Sequence, residues 1–213
     1  MTLTVALSKG KLLLGTEVLF RRAKLPFPEG ESRRLVVPID GFRFLFVKDM
    51  DVPTYVEYGV ADCGIAGRDV LLETESDVYE PLDLGFGHCR LVVAARKETP
   101  FAYDRASTLR VATKYPRVAA AHFLERGLSA EVVRLAGSVE LAPGLGLADC
   151  IVDVVETGRT LEENGLVPVE EIAASSARLV VNRASFHARR EEVAELVATL
   201  RTTSADWTSR ATS

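Results

Sequence analysis

Apolar residues in this chain fall into runs of strand length, separated by segments where they recur at helical spacing; the alternation holds over most of the sequence. Residues 2–7 read as a buried strand and residues 11–23 as an amphipathic helix. Residues 24–31, with Pro26, Pro28 and Gly30, form a loop. Residues 35–39, the pair Asp40-Gly41 and residues 42–47 carry the strongest hairpin signal, because Asp-Gly readily takes the φ > 0 geometry of a tight turn. Asp51 stands where it can cap a helix running to Tyr58, with Gly59 as its stop, and residues 60–66 follow as a strand. The pattern resumes through residues 110–113, 118–126, 132–135 and 148–155, and residues 191–201 form a closing helix.

Two strings recur in the same order in opposite halves. Gly59-Val60-Ala61-Asp62-Cys63-Gly64-Ile65 resembles Gly146-Leu147-Ala148-Asp149-Cys150-Ile151, and Arg90-Leu91-Val92-Val93 returns as Arg178-Leu179-Val180-Val181. Short apolar strings do repeat by chance, but a repeated order favours two similar α/β lobes with a ligand cleft between them. The architecture expected is periplasmic-binding-protein-like, type II, with the second lobe inserted into the first. Lobe I would hold residues 1–91 and 181–213 and lobe II residues 92–180, the R-L-V-V strands being the crossings.

Composition narrows the classes. A chain of 213 residues with 47% hydrophobic and 26% charged residues is that of an ordinary globular protein of one large or two small domains. Lys+Arg 26 against Asp+Glu 30 leaves −4, the wrong balance for a protein living on a nucleic-acid backbone. No apolar stretch approaches the roughly 20 residues of a bilayer span, and the N-terminus lacks a signal-peptide pattern, so a cytoplasmic location is expected. Cys63, Cys89 and Cys150 form no C-x-x-C pair and sit in apolar runs, as buried small hydrophobes would. His88, His122 and His187 share no metal-ligand spacing, so no protein-held metal is expected. Gly10 to Thr16 has phosphate-loop spacing without the lysine before the hydroxyl residue, which excludes a P-loop nucleoside triphosphatase. Gly144-Leu145-Gly146 lacks the third glycine of a dinucleotide fingerprint.

Asp153-Val154-Val155-Glu156-Thr157-Gly158-Arg159-Thr160-Leu161 is more informative. A buried strand runs through an acidic residue into a Thr-Gly-Arg-Thr turn at a helix start. Backbone N–H groups there, two hydroxyls and a glycine permitting close approach can bind an anion. The same string also makes an ordinary N-capped helix with Thr157 or Thr160 as the cap.

Together with Gly137-Ser138-Val139-Glu140-Leu141-Ala142-Pro143 and Gly146-Leu147-Ala148-Asp149, that string resembles the phosphoribosyl-pyrophosphate loop region of the ATP phosphoribosyltransferase family. Agreement extends to Ala6-Leu7-Ser8-Lys9-Gly10-Lys11-Leu12, to Asp51-Val52-Pro53-Thr54-Tyr55-Val56 and on to Gly64-Ile65-Ala66-Gly67-Arg68-Asp69, to Val111-Ala112-Thr113-Lys114-Tyr115-Pro116, and to Ala177-Arg178-Leu179-Val180-Val181-Asn182-Arg183. The resemblance implies the first reaction of histidine biosynthesis, in which adenine N1 of ATP attacks C1 of phosphoribosyl pyrophosphate. It also implies Mg²⁺ travelling with the substrates. The chain's extent suggests the short form, which works with a regulatory subunit similar to histidyl-tRNA synthetase, as a homodimer of catalytic chains within a hetero-oligomer.

Carried over residue by residue, the resemblance gives the 5-phosphate to Glu156, Thr157, Gly158, Arg159, Thr160 and Leu161. It gives the ribose hydroxyls to Asp153, with Asp149 as a second candidate. Lys9, Arg33 and Lys48 would act on the pyrophosphate, and Lys11, Asp69 and Tyr115 would serve ATP. Lys11 and Lys48 stand where the family has arginine and Ser8 where it has proline; lysine keeps the charge but lacks the planar bidentate fork. The competing class is a two-lobed binding protein or regulator effector domain, which would hold a small ligand and perform no chemistry.

Overall fold

The computed structural model describes residues 2–29, 34–98, 101–103 and 107–211. By contacts the chain divides into two compact units, Met1–His88 with Ser176–Ser213, and Cys89–Ser175. The chain builds β1 (Leu3–Ser8), α1 (Leu12–Arg22), β2 (Val36–Ile39), β3 (Phe42–Val47), α2 (Val52–Glu57), β4 (Cys63–Gly67), α3 (Arg68–Thr74) and β5 (Val78–Asp83) in the first unit. The second unit holds β6 (Cys89–Arg96), β7 (Leu109–Thr113), α4 (Pro116–Glu125), β8 (Ala130–Arg134), α5 (Leu141–Gly144), β9 (Cys150–Val155), α6 (Arg159–Glu163) and β10 (Leu166–Ser175). Returning to the first unit, the chain adds β11 (Ala177–Asn182), α7 (Arg183–Ala188) and α8 (Arg190–Ala211).

The first unit is a six-stranded sheet in the order β2-β3-β1-β4-β11-β5. β1 is buried along its whole length because helices cover both faces, so its residues read as a near-continuous apolar run. Leu3, Val5 and Leu7 enter one core with Phe20, Phe44 and Leu200, while Ala6 joins Val52, Val56 and Leu71 on the opposite face. Rings of Phe20, Phe27 and Phe44 meet edge to face at 5.4–5.8 Å, the geometry that ring quadrupoles favour. The expected hairpin is present, with Gly41 at φ +79°. Asp51 differs from expectation. A short 3₁₀ turn over Asp49–Asp51 feeds straight into α2, so Asp51 has helical dihedrals and makes no capping hydrogen bond; Pro53 opens the helix instead.

The second unit is a five-stranded sheet ordered β10-β6-β9-β7-β8. Its order matches β5-β11-β4-β1-β3 of the first sheet, with the same parallel and antiparallel pairings. Both repeated strings land at matching places. The two Ala-Asp-Cys strings lead into β4 and β9 from glycines at φ +70° and +72°, and the R-L-V-V strings form β11 and β6. The R-L-V-V strands are not shared between sheets: each joins one sheet whole, so the division falls at 88/89 and 175/176, a few residues from the boundaries drawn on sequence.

The Asp of each string is a backbone device. Asp62 N–H donates to the Thr4 carbonyl at 2.9 Å, and Thr4 N–H returns to its carboxylate at 2.8 Å. Asp149 does the same with Arg110, both bonds being 2.8 Å. Each carboxylate also pairs with an arginine, Asp62 with Arg189 at 2.7 Å and Asp149 with Arg110 at 3.3 Å. The next residues, Cys63 and Cys150, are both buried; burial first and the neighbouring Asp second push each thiol up to about 12. That suits inert, apolar roles.

α4 carries a buried histidine. His122 Nε2 lies 3.3 Å from Glu170 of β10, whose carboxylate also accepts from the Tyr103 hydroxyl at 2.5 Å and from Arg126. Burial, and then the charge of Arg126, hold the His122 pKa below its ordinary 6.5. Below pH 6.5 the unfolded chain therefore takes up a proton that the folded chain resists, and stability falls as pH drops from 6.5 towards the folded pKa. The substitution His122→Gln is expected to flatten that part of the melting-temperature profile. An unchanged slope would assign it to another group.

Candidate active site

In parallel α/β sheets ligands gather at the carboxyl ends of strands, where loops can reach them. At the carboxyl end of β9 the chain passes Asp153, Glu156 and Thr157 and turns through Gly158 into α6. Gly158 has φ +85°, a left-handed conformation costing a side-chain-bearing residue about 1–2 kcal/mol, which explains a glycine here. Leu161 is buried in the core of the second unit with Val155 and Leu166, and so anchors the loop from below. Thr157 and Thr160 are exposed, and Thr157 Oγ1 accepts from Arg159 N–H at a long 3.5 Å. The first N–H groups of α6 have no carbonyl within the helix by geometry. The Arg159 guanidinium pairs with Glu163 of the same helix at 2.7 Å. Asp153 is half-buried, with Oδ1 accepting the Val154 N–H at 2.8 Å.

Asp149 lies elsewhere. It precedes β9, at the end of the strand opposite the loop, and its carboxylate serves Arg110. It is therefore not brought to the loop between β9 and α6; its counterpart is Asp62, which makes the same backbone contacts in the first unit. Tyr115 has no exposed surface, sits at the start of α4 and carries Lys114 Nζ 4.9 Å from its ring centroid. Its ring presents no face for a purine in this conformation.

The first unit has its own carboxyl edge. Ser8 pairs with Val47 in the parallel β1–β3 ladder, so Lys9 and Lys48 leave the sheet side by side. Both are exposed, and Lys9 lies over the Phe46 ring at 5.7 Å. Lys11 is exposed at the start of α1 on the same edge. Asp69 is 8% exposed in the first turn of α3, its Oδ1 folded so closely over Gly67 that a Cβ there would lie 2.3 Å away. Arg33 lies outside the described residues.

Sequence reasoning missed one residue of this region, Thr113, a hydroxyl buried at the carboxyl end of β7 beside β9. The signal available was a polar residue closing the apolar run Val111-Ala112-Thr113.

The architecture is that of a type II periplasmic binding protein. The solved periplasmic aliphatic sulphonate binding protein SsuA from Escherichia coli has TM-score 0.60 and 13% identity to this chain, covering 96% of it and 72% of that chain, a likeness of fold alone. Closer likeness lies with transferases. A curated ATP phosphoribosyltransferase of Geobacillus kaustophilus is 51% identical over 199 residues, covering 92% of this chain and 95% of the relative. The solved ATP phosphoribosyl transferase (HisG:HisZ) complex from Thermotoga maritima contains a chain with TM-score 0.86 and 35% identity, covering 96% of this chain and all of that one. The HisG family model, ATP phosphoribosyltransferase, matches residues 48–202, and the chain belongs to that family.

Proposed function

We infer that this protein catalyses the family's pentosyl transfer, the first step of histidine biosynthesis. Adenine N1 of ATP forms a bond to C1 of phosphoribosyl pyrophosphate as the C1–oxygen bond to pyrophosphate breaks. The observation that carries the reading is the strand-turn-helix loop from Asp153 to Leu161, in a chain about half identical to named transferases. The solute binder SsuA, by contrast, supports the non-catalytic alternative through fold alone.

The chemistry asks little of a base, since N1 already carries its lone pair. It needs two polyanions held in line and a departing pyrophosphate stabilised. The N–H groups and hydroxyls of Glu156, Thr157, Gly158, Arg159, Thr160 and Leu161 would take the 5-phosphate, and Asp153 the ribose hydroxyls. A carboxylate beside C1 also favours the positive charge that develops there as the leaving group departs. Lys9 and Lys48, paired by strand register, suit the pyrophosphate, with Arg33 as a further cation. Lys11 suits the ATP phosphates and Asp69 the ATP side more generally. Mg²⁺ enters as part of the substrate, bound mainly to phosphate oxygens and water.

Among the described residues no helix is long and apolar enough to cross a membrane. A cytoplasmic location suits a biosynthetic enzyme that draws on ATP. The full coverage of a chain in the HisG:HisZ complex supports the short form with a regulatory partner in a hetero-oligomer; that partner would resemble histidyl-tRNA synthetase, and the catalytic chains would pair as dimers.

Incubation with ATP, phosphoribosyl pyrophosphate and Mg²⁺ is expected to give the absorbance change of N1-ribosylated adenine, with or without the regulatory subunit added. No turnover under either condition would return the chain to the binding-protein class.

A further inference from the structure

Thr113 closes β7 with no exposed surface, and a buried hydroxyl needs partners for its proton and its lone pairs. Its Oγ1 donates to the Val152 carbonyl at 2.6 Å and accepts the Tyr115 N–H at 2.8 Å. β7 and β9 are parallel here, with Thr113 opposite Val152. Where the chain leaves β7 for Pro116 and α4, the Tyr115 N–H is thus relayed through the hydroxyl to β9. The carbonyl it reaches belongs to the planar peptide unit whose nitrogen is that of Asp153. The hydroxyl therefore fixes the plane from which Asp153 projects, while Asp153 Oδ1 is tied to the adjoining Val154 N–H at 2.8 Å.

We infer that Thr113 is a positioning residue for the phosphoribosyl substrate: its hydroxyl locks the Val152–Asp153 peptide against the turn into α4 and so aims Asp153 at the ribose. This rests on the assignment of Asp153 made under the proposed function. A hydroxyl of purely structural value would change the melting temperature and leave the substrate constants alone. One that aims Asp153 lowers kcat/KM for phosphoribosyl pyrophosphate and leaves KM for ATP alone.

The test uses the full chain, with regulatory subunit present, and steady-state kinetics in both substrates. Thr113→Val keeps the shape and removes the hydroxyl; it is expected to lower kcat/KM for phosphoribosyl pyrophosphate at least about tenfold, with KM for ATP within about twofold of wild type. Thr113→Ser is expected to return to within about threefold of wild type. Asp153→Asn should lower the same ratio, and the double variant should be no worse than Asp153→Asn alone, because one residue acts through the other. Should Thr113→Val not fold, Thr113→Cys replaces the hydroxyl by a weaker donor, with loss of the methyl, and reads the same ratio. Impaired Asp153→Asn beside wild-type kinetics for the Thr113 variant overturns the positioning role alone, as does a double variant with fully additive losses. Wild-type kinetics in Asp153→Asn overturn the ribose assignment itself.

Discussion

Replacing Thr157 and Thr160 together by valine is expected to raise the Kd for phosphoribosyl pyrophosphate on the order of 100-fold, without a matching loss of stability. Hydrogen bonds to a charged partner contribute about 1.5–3 kcal/mol each; for exposed hydroxyls the lower end applies, so two on one phosphate amount to about 3 kcal/mol, on the order of 100-fold. Both threonines are exposed, whereas the loop is anchored by Leu161 beneath them and turned by Gly158. Valine keeps the β-branch, so the variant should melt within a few degrees of wild type. Titration calorimetry with the pyrophosphate substrate and Mg²⁺ measures the first quantity, and a melting curve measures the second. Unchanged affinity would leave the string from Glu156 to Leu161 as an ordinary strand-to-helix turn.

The largest stability effect is expected far from the Glu156–Leu161 loop in sequence, at Asp62. Its carboxylate accepts from Thr4 N–H, from Ser185 Oγ at 2.8 Å and from Arg189, whose guanidinium also reaches the Thr2 carbonyl at 2.9 Å. The side chains of Asp62 and Arg189 are only 14% and 19% exposed, so removing the acid leaves two donors without their acceptor and a largely desolvated cation held only by Glu192 at 3.3 Å and the Thr2 carbonyl. Asp62→Ala is expected to cost about 3–4 kcal/mol, which lowers the melting temperature by about 10 °C for a chain of this size. The matching change Asp149→Ala should cost only about 1 kcal/mol, because that pair is 45% and 41% exposed and water screens it. Equal losses at the two sites would mean that burial does not set the strength of these pairs.

Much of the first unit was legible because its strands are buried on both faces and its turns carry their own chemistry. β1 and the Asp40-Gly41 hairpin follow directly from an apolar run and a φ > 0 turn pair. β10 was not legible. It is an edge strand of ten residues, Leu-Val-Pro-Val-Glu-Glu-Ile-Ala-Ala-Ser, whose register slips twice against β6, so no period-two pattern survives. The strand-turn-helix passage through Gly158 is visible as a string because its residue types are set by the local needs of the turn. Asp149 misled for the complementary reason. It neighbours that string in sequence, but a strand of six residues separates it from the loop in space. The assignment of Tyr115 failed on burial, which follows from packing around α4 and has no local signature. Thr113 escaped because its role lies in one carbonyl on a strand 39 residues away.

The Cys89–Ser175 pairing carries an evolutionary and practical consequence. These two residues begin and end the second unit and stand opposite one another in the β6–β10 ladder, so the unit's termini lie about 5 Å apart. On the other side of the junction the Ala177 N–H donates to the Phe86 carbonyl at 2.9 Å, so the two ends of the gap in the first unit are also in register. The middle of the gene thus encodes a cassette that could be lifted out as one contiguous piece, with a tight turn able to seal each cut. Such a geometry lets a half-length ancestor duplicate and thread one copy through a surface turn of the other.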